Sequence, residues 1–231
     1  MKKEEFVQHL LKNNINLSEQ QIEQFAYYFK RLVEQNKLHN LTSITDEEGV
    51  YEKHFYDSLS VGFDFSLENL DVVDVGSGGG FPGMPLQIAF PSMKLHILDS
   101  TAKKIIFLSS LSKELGLENV EPIVARAEEY SDKKFDVVTA RGVASLSVLL
   151  ELCVNLVKKD GYLIALKGSR YEEELNDAKN AIKTLGYELV KKQKYTLPVE
   201  GSTRCNLFFK KVRDHEKKYP RNYGTLKKKP L

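Results

Sequence analysis

The densest group of residues suited to chemistry lies between Asp71 and Gly83, where a buried apolar run passes into a turn with five glycines. Glycine lets a backbone turn sharply and come close to a ligand. A helix is predicted to begin near Pro85, and the amides at a helix N-terminus can meet a bound cofactor. The pattern therefore predicts a cofactor site at the end of the first strand.

Two classes of cofactor use such a turn. The segment Gly78–Gly83 matches the dinucleotide pattern G-x-G-x-x-G, but the strand ends before this match begins. Asp74 instead lies two positions before Gly76, and Gly78 and Gly80 follow at alternate positions. A carboxylate is attractive to the sulfonium and ammonium groups of S-adenosylmethionine and repulsive to a pyrophosphate. A methyltransferase is favoured, and an NAD-dependent oxidoreductase is the weaker alternative.

Asp99 ends the next apolar run. A carboxylate at the end of the second strand can accept hydrogen bonds from both hydroxyls of a ribose. The competing interpretation is local, because the same side chain could cap the helix that begins after Ser100 and Thr101.

Cations lie at the ends of three later runs, namely Arg141, Lys167 and Arg204. Parallel strands deliver such residues to the ligand edge of a sheet. Arg141 is the candidate for holding the cofactor and ordering the pocket, and Lys167 and Arg204 are candidates for contact with the substrate. The alternative for all three is a surface cation beside a loop.

His54, Asp57 and Ser58 are spaced to share one face of a helix. A His–Asp pair can act as a catalytic base. We favour a hydrogen-bonded cluster that docks this helix beside the glycine turn, with direct contact to the substrate as the alternative.

The first 66 residues show helical patterns. Ser18–Gln21 has the form of a capping box before an amphipathic stretch, and Thr45–Glu48 repeats that form. Helices are also predicted at Lys103–Leu115 and Leu146–Val157, each ended by a following glycine, Gly116 and Gly161.

From residue 70, short apolar runs alternate with helical stretches, which predicts a parallel sheet covered by helices on both faces. The predicted strands are Val72–Val75, Leu95–Leu98, Val120–Val124, Asp136–Ala140 and Tyr162–Leu166. Tyr187–Tyr195 and Arg204–Val212 are predicted to close the sheet as an antiparallel pair. The expected fold is a Rossmann-like α/β domain (67–213) with a small N-terminal helical region (1–66) and a basic tail (214–231).

Charge is unevenly distributed along the chain. The net charge is only +2, yet residues 210–231 hold nine Lys/Arg against two acidic residues. A basic tail on an acidic body suggests a polyanionic partner. In this tail, Tyr219 and Tyr223 interleave with cations that could meet phosphates, Lys217, Lys218 and Arg221. A disordered, solubilising end is the alternative.

Several classes are excluded by composition. Cys153 and Cys205 are too few for a disulfide scaffold or a four-cysteine zinc site, and both are interpreted as core residues. The five histidines lack metal-ligand spacing, so no metal is predicted. There is no signal-peptide pattern and no apolar run of the ~18–20 residues that a membrane span needs. A cytoplasmic location is expected.

Seven segments together resemble the bacterial 16S ribosomal RNA guanine-N7 methyltransferases, the glucose-inhibited division protein B family. The segments are NLTSIT (40–45), HFYDSL (54–59), DVGSGGGFPGMPLQI (74–88), ILDS (97–100), ARAEE (125–129), ARGVASL (140–146) and ALKG (165–168). The resemblance covers nearly the whole chain, and no position breaks the family's pattern.

This resemblance implies S-adenosylmethionine as the cofactor and methyl transfer to N7 of a single guanine (guanine 527 in the family's 16S rRNA target). The partner would be 16S rRNA or the small ribosomal subunit, with Lys167 bonding guanine O6 or a phosphate and Arg204 as a further RNA contact. The sequence leaves the oligomeric state open, and a monomer is favoured. Cofactor contacts are implied for Gly76, Ser77, Gly78, Phe81 and Arg141, with Ala127 and Glu128 on the adenine side. They add to Asp74 and Gly80 of the motif and to Asp99 at the end of the second strand.

Guanine N7 presents an in-plane lone pair, so methylation there needs no proton removal and depends on positioning and electrostatics. The chain also lacks the Asn/Asp-Pro-Pro-aromatic motif typical of exocyclic amino-group methylation. A small-molecule methyltransferase on the same fold is the remaining alternative, and it would leave the cations at the strand ends without a purpose.

Overall fold

A computed structural model describes residues 1–231, which form a seven-stranded sheet with helices on both faces. The strands are β1 (Asp71–Val75), β2 (Lys94–Asp99), β3 (Val120–Val124), β4 (Phe135–Arg141), β5 (Val157–Lys167), β6 (Tyr187–Thr196) and β7 (Thr203–Lys211). Their order is β3-β2-β1-β4-β5-β7-β6. The first five are parallel, and β7 runs antiparallel to both β5 and β6. The predicted fold class is confirmed, including the antiparallel pair.

Ten α-helices surround this sheet. They are α1 (Lys3–Lys12), α2 (Glu19–His39), α3 (Glu47–Gly49), α4 (Asp57–Leu59), α5 (Gly83–Ala89), α6 (Ala102–Glu114), α7 (Leu146–Leu152), α8 (Tyr171–Asp177), α9 (Lys179–Thr184) and α10 (Tyr223–Lys228). A π-helix (Val50–Tyr56) joins α3 to α4, and a 3-10 helix (Ser60–Phe63) follows. None of these helices has the length and apolar composition of a membrane span.

The hydrophobic core has two halves, one on each face of the sheet. Helices α1, α2, α5 and α6 pack on one face together with the helical segment 47–63. Helices α7 to α10 pack on the other face. Cys153 and Cys205 are fully buried in this second half, which confirms both as core residues. The N-terminal helices therefore share a core with the sheet.

Two details of the predicted helices are wrong. The helix predicted over Leu146–Val157 ends at Leu152, and Gly161 lies inside β5 instead of ending a helix. An apolar run such as this one fits helix and strand alike, and periodicity alone does not separate them. The cap of α3 is Asp46, whose side chain accepts a hydrogen bond from the Gly49 amide, and not Thr45. The Ser18 capping box is confirmed.

Candidate active site

The turn after β1 is built on glycines with positive φ, Gly76 (+67°), Gly78 (+59°) and Gly80 (+105°). A Cβ at Gly80 would collide with the hydroxyl of Tyr28, whereas a Cβ at Gly78 would meet only the Gly76 carbonyl oxygen, at 3.8 Å. Gly78 therefore lies on the open side of the turn, where a ligand can approach the backbone. Gly80, predicted as a cofactor contact, faces the protein interior.

The Asp74 carboxyl group holds this turn from the interior of the protein. Its carboxylate accepts hydrogen bonds from the Gly83 amide at 3.0 Å and from the Thr139 hydroxyl at 3.2 Å. The side chain is fully buried, and this burial raises the pKa of Asp74 to about 7. The Ser77 hydroxyl turns inward as well and donates to the Asp74 carbonyl oxygen at 2.8 Å. Both side chains shape the turn and leave its backbone to face a ligand.

A cavity of about 370 Å³ opens beside the turn, and we call it the turn cavity. Its lining includes Gly76, Asp99, Ala127 and Glu128, which were predicted to bind the cofactor. The volume is in the range of small-molecule sites. The two carboxylates offer acceptors for hydroxyl and amino groups of a ligand.

Asp99 serves both the turn and the cavity. Its carboxylate accepts hydrogen bonds from the Gly78 amide at 3.2 Å and from the Thr101 amide at 2.8 Å. The Lys104 ammonium lies 3.6 Å away. The N-cap residue of α6 is Thr101, so the capping interpretation of Asp99 is not the observed arrangement. Asp99 instead links the backbone of the glycine turn to the end of β2.

Tyr223 also lines the turn cavity, which sequence reasoning missed. It lies in α10, far along the chain from the motif, and its aromatic ring faces the Arg126 guanidinium at 5.9 Å. The only signal was the Tyr–cation pattern of the tail, which we interpreted as an RNA contact.

Phe81 is packed between other side chains and is only 6% exposed. Its ring stacks on His54 with centroids 4.4 Å apart, and Tyr28 lies on a nearly parallel plane at 5.6 Å. The Arg141 guanidinium lies 5.1 Å from its centroid. Phe81 thus joins the glycine turn to the helical region, and its ring is not among the cavity-lining groups.

Arg141, at the end of β4, also joins the sheet to the helical region. Its guanidinium donates to the Lys53 carbonyl oxygen at 2.9 Å, to the Asp57 carboxylate at 2.7 Å and to His54 Nδ1 at 3.1 Å. Burial and the nearby Arg141 charge lower the pKa of His54 to about 3. Since Arg141 can only donate, Nδ1 accepts, and Nε2–H donates to the Thr42 hydroxyl at 2.7 Å.

The contacts of His54 and Asp57 with Arg141 match the predicted docking cluster, and they leave His54 no free lone pair for a base. Ser58 does not join them, because its buried hydroxyl has no hydrogen-bond partner. The predicted spacing assumed a regular α-helix, whereas residues 50–56 form a π-helix with more residues per turn.

A second cavity of about 460 Å³ lies next to the first, and we call it the cation cavity. Arg141, Lys167 and Arg204 line it, so the structure brings the predicted strand-end cations together. Lys167 donates to the Glu174 carboxylate at 2.7 Å and to the Ala144 carbonyl oxygen at 2.9 Å. The Arg204 Nε lies 3.3 Å from Asp57.

Gly142 and Val143 line both cavities. These residues follow β4, so the end of one central strand separates the two spaces. A ligand in the turn cavity and another in the cation cavity would therefore lie next to each other, on either side of Gly142 and Val143. Two adjoining sites are what a group transfer between a cofactor and a substrate requires.

The C-terminal tail is folded onto α7, so the alternative of a disordered end is wrong. Leu226 is fully buried and Tyr219 is 8% exposed. Arg221, predicted to bind RNA, instead places its guanidinium on the buried Glu151 carboxylate at 2.8 and 2.6 Å. Within this tail, Tyr223–Lys228 forms α10. Lys217 and Lys218 remain exposed.

Similarity to known proteins agrees with this geometry. Residues 21–199 match the family described as rRNA small subunit methyltransferase G. Ribosomal RNA small subunit methyltransferase G of Lysinibacillus sphaericus is 49% identical, with both chains covered completely. The protein of the same name from Bacillus subtilis is 48% identical over 99% of this chain and 98% of its own length.

Solved structures show the same fold. TYW2 of M. jannaschii in complex with AdoMet superimposes with a TM-score of 0.58 and 20% identity, covering 74% of this chain and 80% of its own. The ribosomal protein L11 methylase of Lactobacillus delbrueckii gives a TM-score of 0.55 and 15% identity, covering 70% of this chain and 79% of its own.

The fold and the two adjoining cavities define a Rossmann-like methyltransferase that uses S-adenosylmethionine. The open backbone at Gly78 and the carboxylates of Asp99 and Glu128 fit this cofactor. Within that class, the chain belongs to the rRNA small subunit methyltransferase G family, which confirms the resemblance found in the sequence.

Proposed function

We propose that this enzyme transfers a methyl group from S-adenosylmethionine to N7 of a single guanine in small-subunit ribosomal RNA. The observation that carries the proposal is the cation cavity, which adjoins the turn cavity across Gly142 and Val143. Three cations against two carboxylates, Asp57 and Glu174, leave an excess of positive charge suited to a polyanion.

The state of the acid and base groups supports N7 as the target atom. Asp57 is paired with Arg141 and Arg204 and accepts a hydrogen bond from Tyr195 at 2.8 Å. Glu174 is paired with Lys167. With His54 engaged by Arg141, none of these three groups is left as an unpaired base. A nucleophile that already carries a lone pair, such as guanine N7, needs none.

The cofactor, when bound, supplies an electrophilic methyl group. The chain's own residues bind and orient the two partners. The Lys167 ammonium uses two of its three donors within the protein, so one N–H remains for guanine O6 or a phosphate oxygen. Arg204 borders the same space and can meet a phosphate. The proposed contribution to rate is positioning in a preorganised electrostatic site.

The RNA surface would extend from this cavity to exposed lysines of the tail. Lys217 and Lys218 are candidates, and the Lys218 ammonium pairs with the exposed Glu216 at 2.8 Å. Such surface pairs are weak and exchange readily for phosphate. We further propose that the enzyme works as a monomer in the cytoplasm, where ribosomal subunits are found.

The proposal is tested by transfer of a labelled methyl group to small subunits and to free rRNA that lack the modification. Borohydride reduction and aniline cleavage then locate N7-methylguanine in the labelled RNA. We expect one labelled guanine and no transfer to subunits that already carry the modification. Label on another base or another ring atom, or no label at all, would reject N7 of a single guanine as the target.

A further inference from the structure

The C-terminal segment supplies one wall of the turn cavity. Tyr223 lies in the same lining as Asp99, Arg126 and Glu128, and it is 40% exposed. Its ring is therefore neither part of the core nor free in solvent. It stands at the edge of the space that receives the cofactor.

Buried anchors on both sides fix the position of this wall. Before it, Arg221 donates to Glu151 from its backbone amide at 2.9 Å as well as from its guanidinium. Glu151 is only 1% exposed, and Leu152 beside it lines the turn cavity. After it, Leu226 is fully buried against the second half of the core. Tyr223 is thus held between two fixed points next to the cavity.

The chemistry of this corner suits a flat aromatic group. The Tyr223 ring and the planar Arg126 guanidinium, 5.9 Å apart, can both stack on a nucleobase. The Glu128 carboxylate can accept a hydrogen bond from an exocyclic amino group. We propose that Tyr223, together with Arg126, binds the adenine end of S-adenosylmethionine, so that the C-terminal tail is part of the cofactor site.

This inference concerns the cofactor alone, so it is tested without RNA. The chain has no tryptophan. Tyr223→Trp therefore introduces a single reporter at the proposed contact. We expect its fluorescence to change saturably with S-adenosylhomocysteine and with adenosine. Tyr27→Trp is the matched control, because Tyr27 is also 40% exposed but lies on α2, away from the cavity.

Calorimetry supplies the second measurement. Base–aromatic stacking predicts that Tyr223→Ala binds S-adenosylhomocysteine about tenfold more weakly than the wild type. Tyr223→Phe should bind like the wild type because it keeps the ring. Adenosine affinity should fall by a similar factor in Tyr223→Ala, and Tyr27→Ala should change neither. A thermal unfolding midpoint is recorded for each variant to show that it is folded.

Wild-type affinity in a folded Tyr223→Ala variant would overturn the proposal. A Tyr223→Trp reporter that is insensitive to both ligands would overturn it as well. Neither result would touch the proposed RNA target, because methyl transfer to RNA is measured separately.

Discussion

The two cavities share one wall but are closed by opposite ends of the chain. The turn cavity is bounded by the glycine turn, Asp99 and, from α10, Tyr223. The cation cavity is bounded by strand-end cations and, from the N-terminal helical segment, Asp57. The common part of both is the loop after β4, with Gly142 and Val143.

This difference shows how one sheet can serve two ligands. The carboxyl ends of parallel strands provide the edge where ligands bind. The segments before and after the sheet then complete each space separately, the N-terminal one through Arg141 and Asp57, the C-terminal one through Arg221 and Glu151. We call the pair Arg141–Asp57 the N-terminal clamp, and the pair Arg221–Glu151 with the buried Leu226 the C-terminal clamp. A substitution that breaks one clamp should affect the adjoining cavity first.

The largest effect is expected from Arg141→Ala, which breaks the N-terminal clamp. The variant leaves the buried Asp57 carboxylate without its 2.7 Å partner. Arg204 and Tyr195 still contact Asp57 in this variant. The hydrogen bonds from Arg141 to Lys53 and His54 are lost as well, so we expect the unfolding free energy to fall by about 3–5 kcal/mol. Urea titration measures this loss. A change below about 1 kcal/mol, typical of an exposed pair, would show that Arg141 is not a clamp.

Leu226→Ala tests the C-terminal clamp. Truncating a fully buried leucine is expected to lower the unfolding free energy by about 2–5 kcal/mol. Its exposed neighbour in the control variant, Lys227→Ala, should change it by no more than ~0.5 kcal/mol. Equal stability of the two variants would mean that α10 is not docked in solution.

Substitutions at two glycines of the turn distinguish an effect on ligand binding from an effect on packing. Gly78→Val adds a side chain on the open side at φ +59°, which strains the backbone by about 1–2 kcal/mol and fills space the cofactor needs. Calorimetry should detect no binding of S-adenosylhomocysteine by this folded variant. Gly80→Ala, directed at Tyr28, should mainly lower the thermal midpoint. Normal cofactor affinity in Gly78→Val would remove Gly78 from the site.

Acid should weaken the N-terminal clamp through His54. The pKa of His54 is lowered from 6.5 to about 3, so between these values the unfolded chain binds a proton that the folded chain does not. Stability therefore falls as pH decreases below about 6.5, by up to ~1.4 kcal/mol per pH unit from this group. His54→Gln should show a shallower dependence between pH 4 and 6.5. Parallel curves would mean that His54 is protonated normally in the folded protein.

Much of the turn cavity could be predicted from sequence because its parts are local. The Asp74–Gly80 motif and the position of Asp99 at a strand end follow from adjacent residues. Tyr223 could not be predicted in this way, because its place depends on the distant pair Arg221–Glu151. The same composition, cations beside tyrosines, is typical of a solvated RNA-binding arm and of a docked helix.

For the cation cavity, the sequence predicted the cations but not the residues that they pair with. Strand-end positions correctly predicted that Arg141, Lys167 and Arg204 would meet. Their partners could not be predicted, because Asp57 reaches two of them through the π-helix and α4, whose winding the residue spacing did not reveal. Tertiary packing, and not local propensity, decides such contacts.

The separation of the two ligands is tested most directly by titrating both into two variants, Asp99→Asn and Lys167→Ala. Asp99→Asn removes a charged acceptor and should weaken S-adenosylhomocysteine binding by about tenfold or more, with rRNA affinity unchanged. Lys167→Ala should leave S-adenosylhomocysteine affinity unchanged. It should weaken rRNA binding and, if Lys167 meets a phosphate, make the slope of log affinity against log salt shallower by ~0.7. If either variant weakens both ligands equally, or only the ligand assigned to the other cavity, the two-cavity account is wrong.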